Sequence, residues 1–164
     1  MELTREDVRC FRRATELAEE AGAGSNLPIG AVISLDGAII AEGQNGIWFP
    51  GRSPDRHAEV EALRRVPQDL WDRSEEMALY TTLEPCLMCL GAIFLHRIGR
   101  VLYGAADAYG GASQVIGHMP VYFEERAAVT AWVGPAYPEG CDPLCERVMA
   151  LVERRKEREQ TRGR

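Results

Sequence analysis

Lysine is almost missing from this chain of 164 residues: Lys156 stands alone beside the arginines that complete its 19 basic residues. Against 25 acidic residues the net charge is −6, which disfavours a broad electrostatic hold on nucleic acid while leaving room for a local basic patch. Long apolar runs are also lacking. None approaches the roughly 18 residues of a membrane-crossing helix, so no membrane partner is expected. The first seven residues, Met1 to Asp7, are charged and have no apolar secretory core. An even set of cysteines is absent too. Five thiols without a secretory signal suit a reduced, metal-binding use better than a disulfide framework, and a cytoplasmic location is the default expectation. There is no internal repeat and no domain-sized linker. What remains is an ordinary globular composition, 46% hydrophobic and 27% charged, long enough for one domain over residues 1–164 with a good core.

The apolar pattern divides the chain. Cys10, Ala14, Leu17, Ala18 and Ala21 recur at helical steps and predict a helix over 4–22, ended by Gly22 to Asn26. Residues 29–35 and 38–42 read as two strands across Asp36-Gly37, a strong hairpin signal. Residues 43–56 are loop, followed by a helix over 57–66, a strand over 77–82, a helix over 86–97 and a strand over 100–104. Ala128–Val133 reads as a last strand. Asp142-Pro143 reads as the start of a helix running to about Glu159, with a charged, fraying tail from about 154 to 164. This order predicts an α/β fold: a three-layer α/β/α sandwich with a mixed sheet of about five strands.

Chemistry concentrates in two short segments. His57-Ala58-Glu59 supplies an imidazole and a carboxylate, and Pro85-Cys86-Leu87-Met88-Cys89 supplies two thiols. H-x-E followed by P-C-x-x-C is the pattern of zinc deaminases that act on nucleobases. A neutral imidazole and two thiolates hold Zn²⁺ and leave its fourth position for water, the arrangement of a catalytic rather than a structural site. The carboxylate is not a ligand and stays free to move protons. Both segments fall at predicted helix N-termini, where the helix dipole favours the thiolate form. Cys141 and Cys145 form a C-x3-C pair that reads as buried or half-buried thiols rather than further ligands. Cys10 reads as core, and His96 and His118 as non-ligands.

With these motifs the chain resembles the cytidine/deoxycytidylate deaminase superfamily, in the branch that holds guanine, cytosine and tRNA adenosine deaminases. Pro28 to Val32, Asn45, Leu79 to Glu84, Gly91 to Ile93 and Arg97 to Ala105 carry the likeness, which covers roughly residues 5–113. The resemblance implies one catalytic zinc on His57, Cys86 and Cys89, with Glu59 as the proton carrier. It implies hydrolytic removal of an exocyclic amine as ammonia. It suggests substrate contacts from Asn45 and Ala58, from Glu84, and from Asp107 and Tyr109 after the fourth strand. Trp48 and Phe49, in the loop before the histidine, suit stacking on a flat heterocycle or plain packing. A homodimer is expected by the same analogy, with the apolar helix Leu90–Leu95 as a contact.

Three functions remain in view. The favoured one is a deaminase of a free nucleobase, nucleoside or related amino-heterocycle. The second is a tRNA adenosine deaminase making inosine at the wobble position. The third, an inactive zinc-stabilised binding module, has no use for Glu59. The tRNA enzymes resemble the chain from Arg97 to Ala112, yet they carry D-x-K-x-G-A where this chain reads Asp107-Ala108-Tyr109-Gly110-Gly111-Ala112. Where relatives read D-P-T-x-H-A-E, this chain reads Ser53-Pro54-Asp55-Arg56-His57. Trp48 and Phe49 add bulk where an anticodon loop must enter, and Cys86 to Ile93 is closer to the guanine deaminase wording. The one dense cationic stretch, Arg154 to Arg164, is diluted by Glu157 and Glu159 and reads as a solvated helix end.

Overall fold

The computed structural model describes residues 2–162, so positions 163 and 164 of the expected tail lie outside the described residues. Helix α1 (Arg5–Ala23) starts at Thr4, whose side chain accepts the Asp7 N–H while the Asp7 carboxylate reaches back to the Thr4 N–H. This reciprocal capping satisfies two otherwise unpaired donors. The helix buries Cys10, Phe11, Ala14, Leu17, Ala18 and Ala21 against the sheet. Phe11 packs edge-on against Tyr80 and is stacked on Tyr137.

Strands β1 (Gly30–Leu35) and β2 (Ala38–Gln44) form the expected hairpin. Asp36 and Gly37 both have positive φ, 51° and 76°, as a tight two-residue turn of this hand requires. Then follow α2 (Ala58–Leu63), a 3₁₀ segment over 68–76, β3 (Ala78–Leu83), α3 (Leu87–Leu95) and β4 (Arg100–Ala105). Helix α4 (Val121–Val129), the short β5 (Ala131–Val133) and α5 (Pro138–Arg162) complete the chain. The sheet order is β2-β1-β3-β4-β5, antiparallel across β2-β1-β3 and parallel across β3-β4-β5. Helices α1 and α5 touch each other on one face; α2, α3 and α4 touch in sequence on the other. The result is the expected α/β/α sandwich on a mixed five-stranded sheet.

Three expectations need correcting beyond Ala105. Residues 128 and 129 end helix α4, and the last strand is only Ala131–Val133. Helix α4 has no buried residue, so its sequence carries no helical stripe; Glu124 inside it accepts the N–H groups of Gly117 and Met119 just ahead of it. The last helix begins at Pro138 rather than Asp142, because a proline at the first turn costs no hydrogen bond and Cys141 must already be seated against Gly104 of β4. Its helical course runs to Arg162, past the expected end near Glu159.

Asp7 ties the first helix to the sheet. It is 1% exposed, and one of its oxygens accepts both the Tyr80 hydroxyl and the Arg100 guanidinium, at 2.8 and 3.0 Å. Burial alone would raise its pKa. The Thr4 N–H, the Tyr80 and Thr4 hydroxyls and the Arg100 charge outweigh it and hold the carboxyl below its usual value. A depressed folded-state pKa contributes stability above the unfolded value, lost as pH falls through the folded one. Asp7→Ala should therefore destabilise the fold by about 2–4 kcal/mol at neutral pH, combining the lost cap and an orphaned Tyr80 hydroxyl. Denaturant titrations should show that difference shrinking below about pH 4.

Candidate metal centre

The two motifs arrive on opposite helix starts. The residue just ahead of α2 is His57, in extended backbone conformation, and its carbonyl accepts the Glu61 N–H. Cys86 plays the same part ahead of α3, its carbonyl accepting the Leu90 N–H, and Cys89 lies one turn into that helix. Helix α2 is set by Gly43 of β2. A Cβ there would lie 2.1 Å from the Ala58 carbonyl oxygen and 2.4 Å from the Ala62 nitrogen, so only glycine lets the helix sit this close to the sheet. Gly43→Ala must push α2, with His57 and Glu59, outward. Displacements of this order cost about 10²-fold in rate, so kcat/KM should fall by roughly that factor while circular dichroism keeps its shape.

His57 Nδ1 lies 3.5 Å from both Cys86 Sγ and Cys89 Sγ, and the two sulfurs are 3.7 Å apart. A tetrahedral ion with Zn–S near 2.3 Å and Zn–N near 2.0–2.1 Å requires separations of about 3.6 and 3.8 Å. The donor set and spacing fit one zinc ion with one position left over. Among the described residues this is the one group of three such donors. Cys141 and Cys145 stay outside it: Cys141 is fully buried under β4, its thiol pushed up to about 12 chiefly by burial, and Cys145 faces the Ala106 carbonyl. His96 hydrogen-bonds the Ala92 carbonyl, and His118 is exposed.

The electrostatics favour metal capture. Hydrogen bonding between the two sulfurs, with the His57 ring assisting, outweighs burial and brings the Cys86 thiol down to about 4. Cys89 itself is pushed up by its bond to Cys86, by burial and by the Glu59 carboxylate. One thiol is thus ready as a thiolate and the other gives up its proton when a cation replaces it. Glu59 is buried at 4% exposure, and that burial raises its pKa, His57 partly opposing. It accepts from Thr81 Oγ1 at 3.3 Å and from Cys89 Sγ at 3.4 Å.

A cavity of about 150 Å³ opens on His57, Glu59 and Cys86. Leu27, Ile29 and Leu83, with Val148, Met149 and Val152 of α5, give it an apolar lining, and Glu84, Asp107 and Tyr109 complete the wall. Glu84 is also a strut, its carboxylate accepting the N–H groups of Asp107 and Ser113 at 3.0 Å and so fixing the loop that carries Asp107 and Tyr109. Asn45 is buried and its side-chain oxygen accepts the Ile47 N–H; Ala58 is fully buried between His57 and Glu59. Neither belongs to the cavity lining. Trp48 faces a neighbouring cavity under Arg155, and Phe49 is 59% exposed. The lining residues of α5 were missed in the sequence, although their i, i+1, i+4 spacing is an ordinary helical stripe.

A sandwich with His57, Cys86 and Cys89 gathered at two helix starts, one donor short of a closed structural site, defines a zinc-binding centre of the open arrangement. Residues 4–105 match the cytidine and deoxycytidylate deaminase zinc-binding region, and the chain belongs to that family. It is 48% identical to guanine deaminase of Bacillus subtilis over 97 residues, 58% of this chain and 62% of that protein. It is 43% identical to the tRNA-specific adenosine deaminase of Haemophilus influenzae over 108 residues, 65% of this chain and again 62% of the relative. The chain thus spans less than two thirds of these relatives' length. A solved structure of guanine deaminase from Bacillus subtilis superposes with a TM-score of 0.57 at 36% identity, covering 88% of this chain and 93% of that one. A structure described as tRNA:A34 deaminases gives a TM-score of 0.64 at 37% identity, covering 71% and 92%.

Proposed function

We propose that the chain is a hydrolytic deaminase that replaces an exocyclic amine by oxygen, releasing ammonia, on a small amino-heterocycle such as a free base or nucleoside. When bound, zinc lowers the pKa of a coordinated water to about 7 and so supplies the nucleophile at neutral pH. The rest falls to the chain's own groups. Glu59 takes one proton from the attacking water and delivers it to the ring nitrogen; it then takes the second proton of the same oxygen and passes it to the amine, which leaves as ammonia when the C–N bond breaks and the C=O bond forms. Its burial keeps bulk water from competing for that proton, and the Thr81 hydroxyl holds one of its oxygens in place. The apolar lining suits the face of a ring, and Asp107 and Tyr109, which line the same cavity, are suited to its polar edge and face.

The observation that carries this reading over a polymer substrate is the small size of the cavity that α5 helps to line. Val148, Met149 and Val152 leave about 150 Å³ over the metal ligands, well below the roughly 300–1,000 Å³ of drug-sized sites. Such a space suits a single heterocycle. The wobble-adenosine reading keeps one support, the 43% identity to a tRNA-specific adenosine deaminase. An ammonia-release screen of zinc-loaded protein against guanine, cytosine, adenine, their nucleosides, aminated triazines and pterins, with an anticodon stem-loop alongside, decides between them. The reading expects turnover of a small heterocycle; inosine formed in the stem-loop with no small-molecule turnover would reverse it.

A cytoplasmic, homodimeric enzyme completes the proposal. No helix among the described residues is long and apolar enough to cross a membrane. On α3, Leu90, Ile93 and Phe94 belong to the chain's own core, leaving Leu87, Met88 and Leu95 exposed for a second copy. Sedimentation equilibrium should give a dimer that Leu95→Glu weakens by about tenfold or more; a wild-type monomer at micromolar concentration would refute it.

A further inference from the structure

Glu84 follows β3 directly and precedes Pro85-Cys86, the segment that brings the first thiol to the metal centre. It is 7% exposed and lines the metal cavity. Both of its oxygens are already engaged. Oε2 accepts the Asp107 N–H and Oε1 the Ser113 N–H, each at 3.0 Å, so one side chain ties down both ends of the loop that follows β4. The backbone repeats the tie. The Glu84 N–H donates to the Ala105 carbonyl at 2.8 Å, and the Ala112 N–H donates to the Pro85 carbonyl at 2.9 Å.

Between those ends the loop closes on itself. Asp107 Oδ1 accepts the Tyr109 and Gly110 N–H groups at 2.9 and 3.0 Å, and the Asp107 carbonyl accepts the Gly111 N–H at 2.9 Å. Gly111 packs directly on the Glu84 carboxylate. A Cβ there would lie 2.3 Å from Glu84 Cδ, 2.4 Å from Oε2 and 2.5 Å from the Asp107 carbonyl oxygen, so no side chain fits between loop and acid. A buried carboxylate is stable only where its lone pairs meet donors, and two backbone N–H groups supply them here. Glutamine could not replace it. Its single amide oxygen would accept one N–H, and its NH₂ group would face the other donor.

We propose that Glu84 is a positioning residue. Acting through the backbone of residues 107–113, it holds the side chains of Asp107 and Tyr109 in register with the metal ligands and so governs how tightly a substrate is held, without contacting the ring itself. This differs from the direct substrate contact that the family resemblance suggests for Glu84. The substrate half of the proposal rests on the deaminase reading above; the strut itself does not.

The test compares the zinc-loaded full chain with Glu84→Gln and with Gly111→Ala, which keeps the carboxylate and displaces the loop. Ammonia release is followed with guanine, cytosine and adenine as probes. Both variants should keep one zinc per chain and raise KM by about tenfold or more, while kcat changes far less. Amide hydrogen exchange, which needs no substrate, should show slow Asp107 and Ser113 amides in the wild type. In Glu84→Gln these two should exchange about tenfold faster or more, with the amides of β3 and β4 unchanged. An unchanged KM, or a fall in kcat alone, overturns the proposal. A KM shift in Glu84→Gln that Gly111→Ala does not reproduce overturns it in favour of a direct role for the charge. Loss of protection throughout β3 in Glu84→Gln reduces Glu84 to a support of the fold and overturns it too. Fast exchange of Asp107 and Ser113 in the wild type does so without any variant. Absence of wild-type turnover on every heterocycle sinks the deaminase reading, and the strut is then decided by the exchange rates alone.

Discussion

Glu59→Gln is expected to lower kcat for deamination by about 10²–10⁴-fold, the usual contribution of a positioned proton carrier, while leaving one zinc bound per chain. The geometry separates the two effects. Glu59 is not among the three grouped donors, so its replacement removes no ligand. Glutamine has nearly the same shape, and its amide oxygen can still accept from Thr81. What it cannot do is hold and release a proton, the property that burial of this carboxyl enhances by raising its pKa. Ammonia release and metal content, measured on the same preparation, give the answer. Full activity in the variant would refute the assigned role and leave the zinc site as a mere staple.

The second large effect follows from removing a ligand. Cys89 is fully buried between His57 and Glu59, and Cys89→Ala leaves two donors where zinc needs at least three. Activity should fall below detection and zinc should be lost on dialysis. Stability should fall too, because a metal that binds only the folded chain stabilises it by about 4 kcal/mol at a thousandfold excess over its dissociation constant. For a chain of this size that corresponds to a melting temperature lower by about 8–16 °C, reproduced in the wild type by a chelator. Cys141→Ala is the control. Its sulfur is equally buried but packs on Gly104, so the variant should lose some stability and keep its zinc. Loss of zinc from Cys141→Ala would show that the metal had been placed on the wrong thiols.

The elements that build the metal site were readable because each carries a local signal. Asp36-Gly37 demands a hairpin, Thr4 with Asp7 caps a helix, and His57, Cys86 and Cys89 sit where a loop turns into an apolar helix. Reading failed where burial does not pattern the chain. Helix α4 buries nothing, so Val121 and Val129 stand exposed and no stripe announces it. The start of α5 was misplaced because Asp142-Pro143 mimics a helix start, whereas the seat for Cys141 is set by Gly104, distant in sequence. The same gap hid part of the pocket wall: nothing local in Val148, Met149 and Val152 announces a site, and only the packing of α5 over β3 and β4 brings them to the cavity beside the metal ligands. Trp48 was legible as an aromatic near the mouth, but not the arginine that stacks on it.

The account stands on one zinc ion held by one imidazole and two thiolates with a position to spare. X-ray absorption at the zinc edge of the purified protein reads this directly. The expected result is one zinc per chain with two sulfur scatterers near 2.3 Å and two nitrogen or oxygen scatterers near 2.0 Å, one of them exchangeable with solvent. Three or four sulfurs around the metal, or no stoichiometric zinc at all, would contradict it.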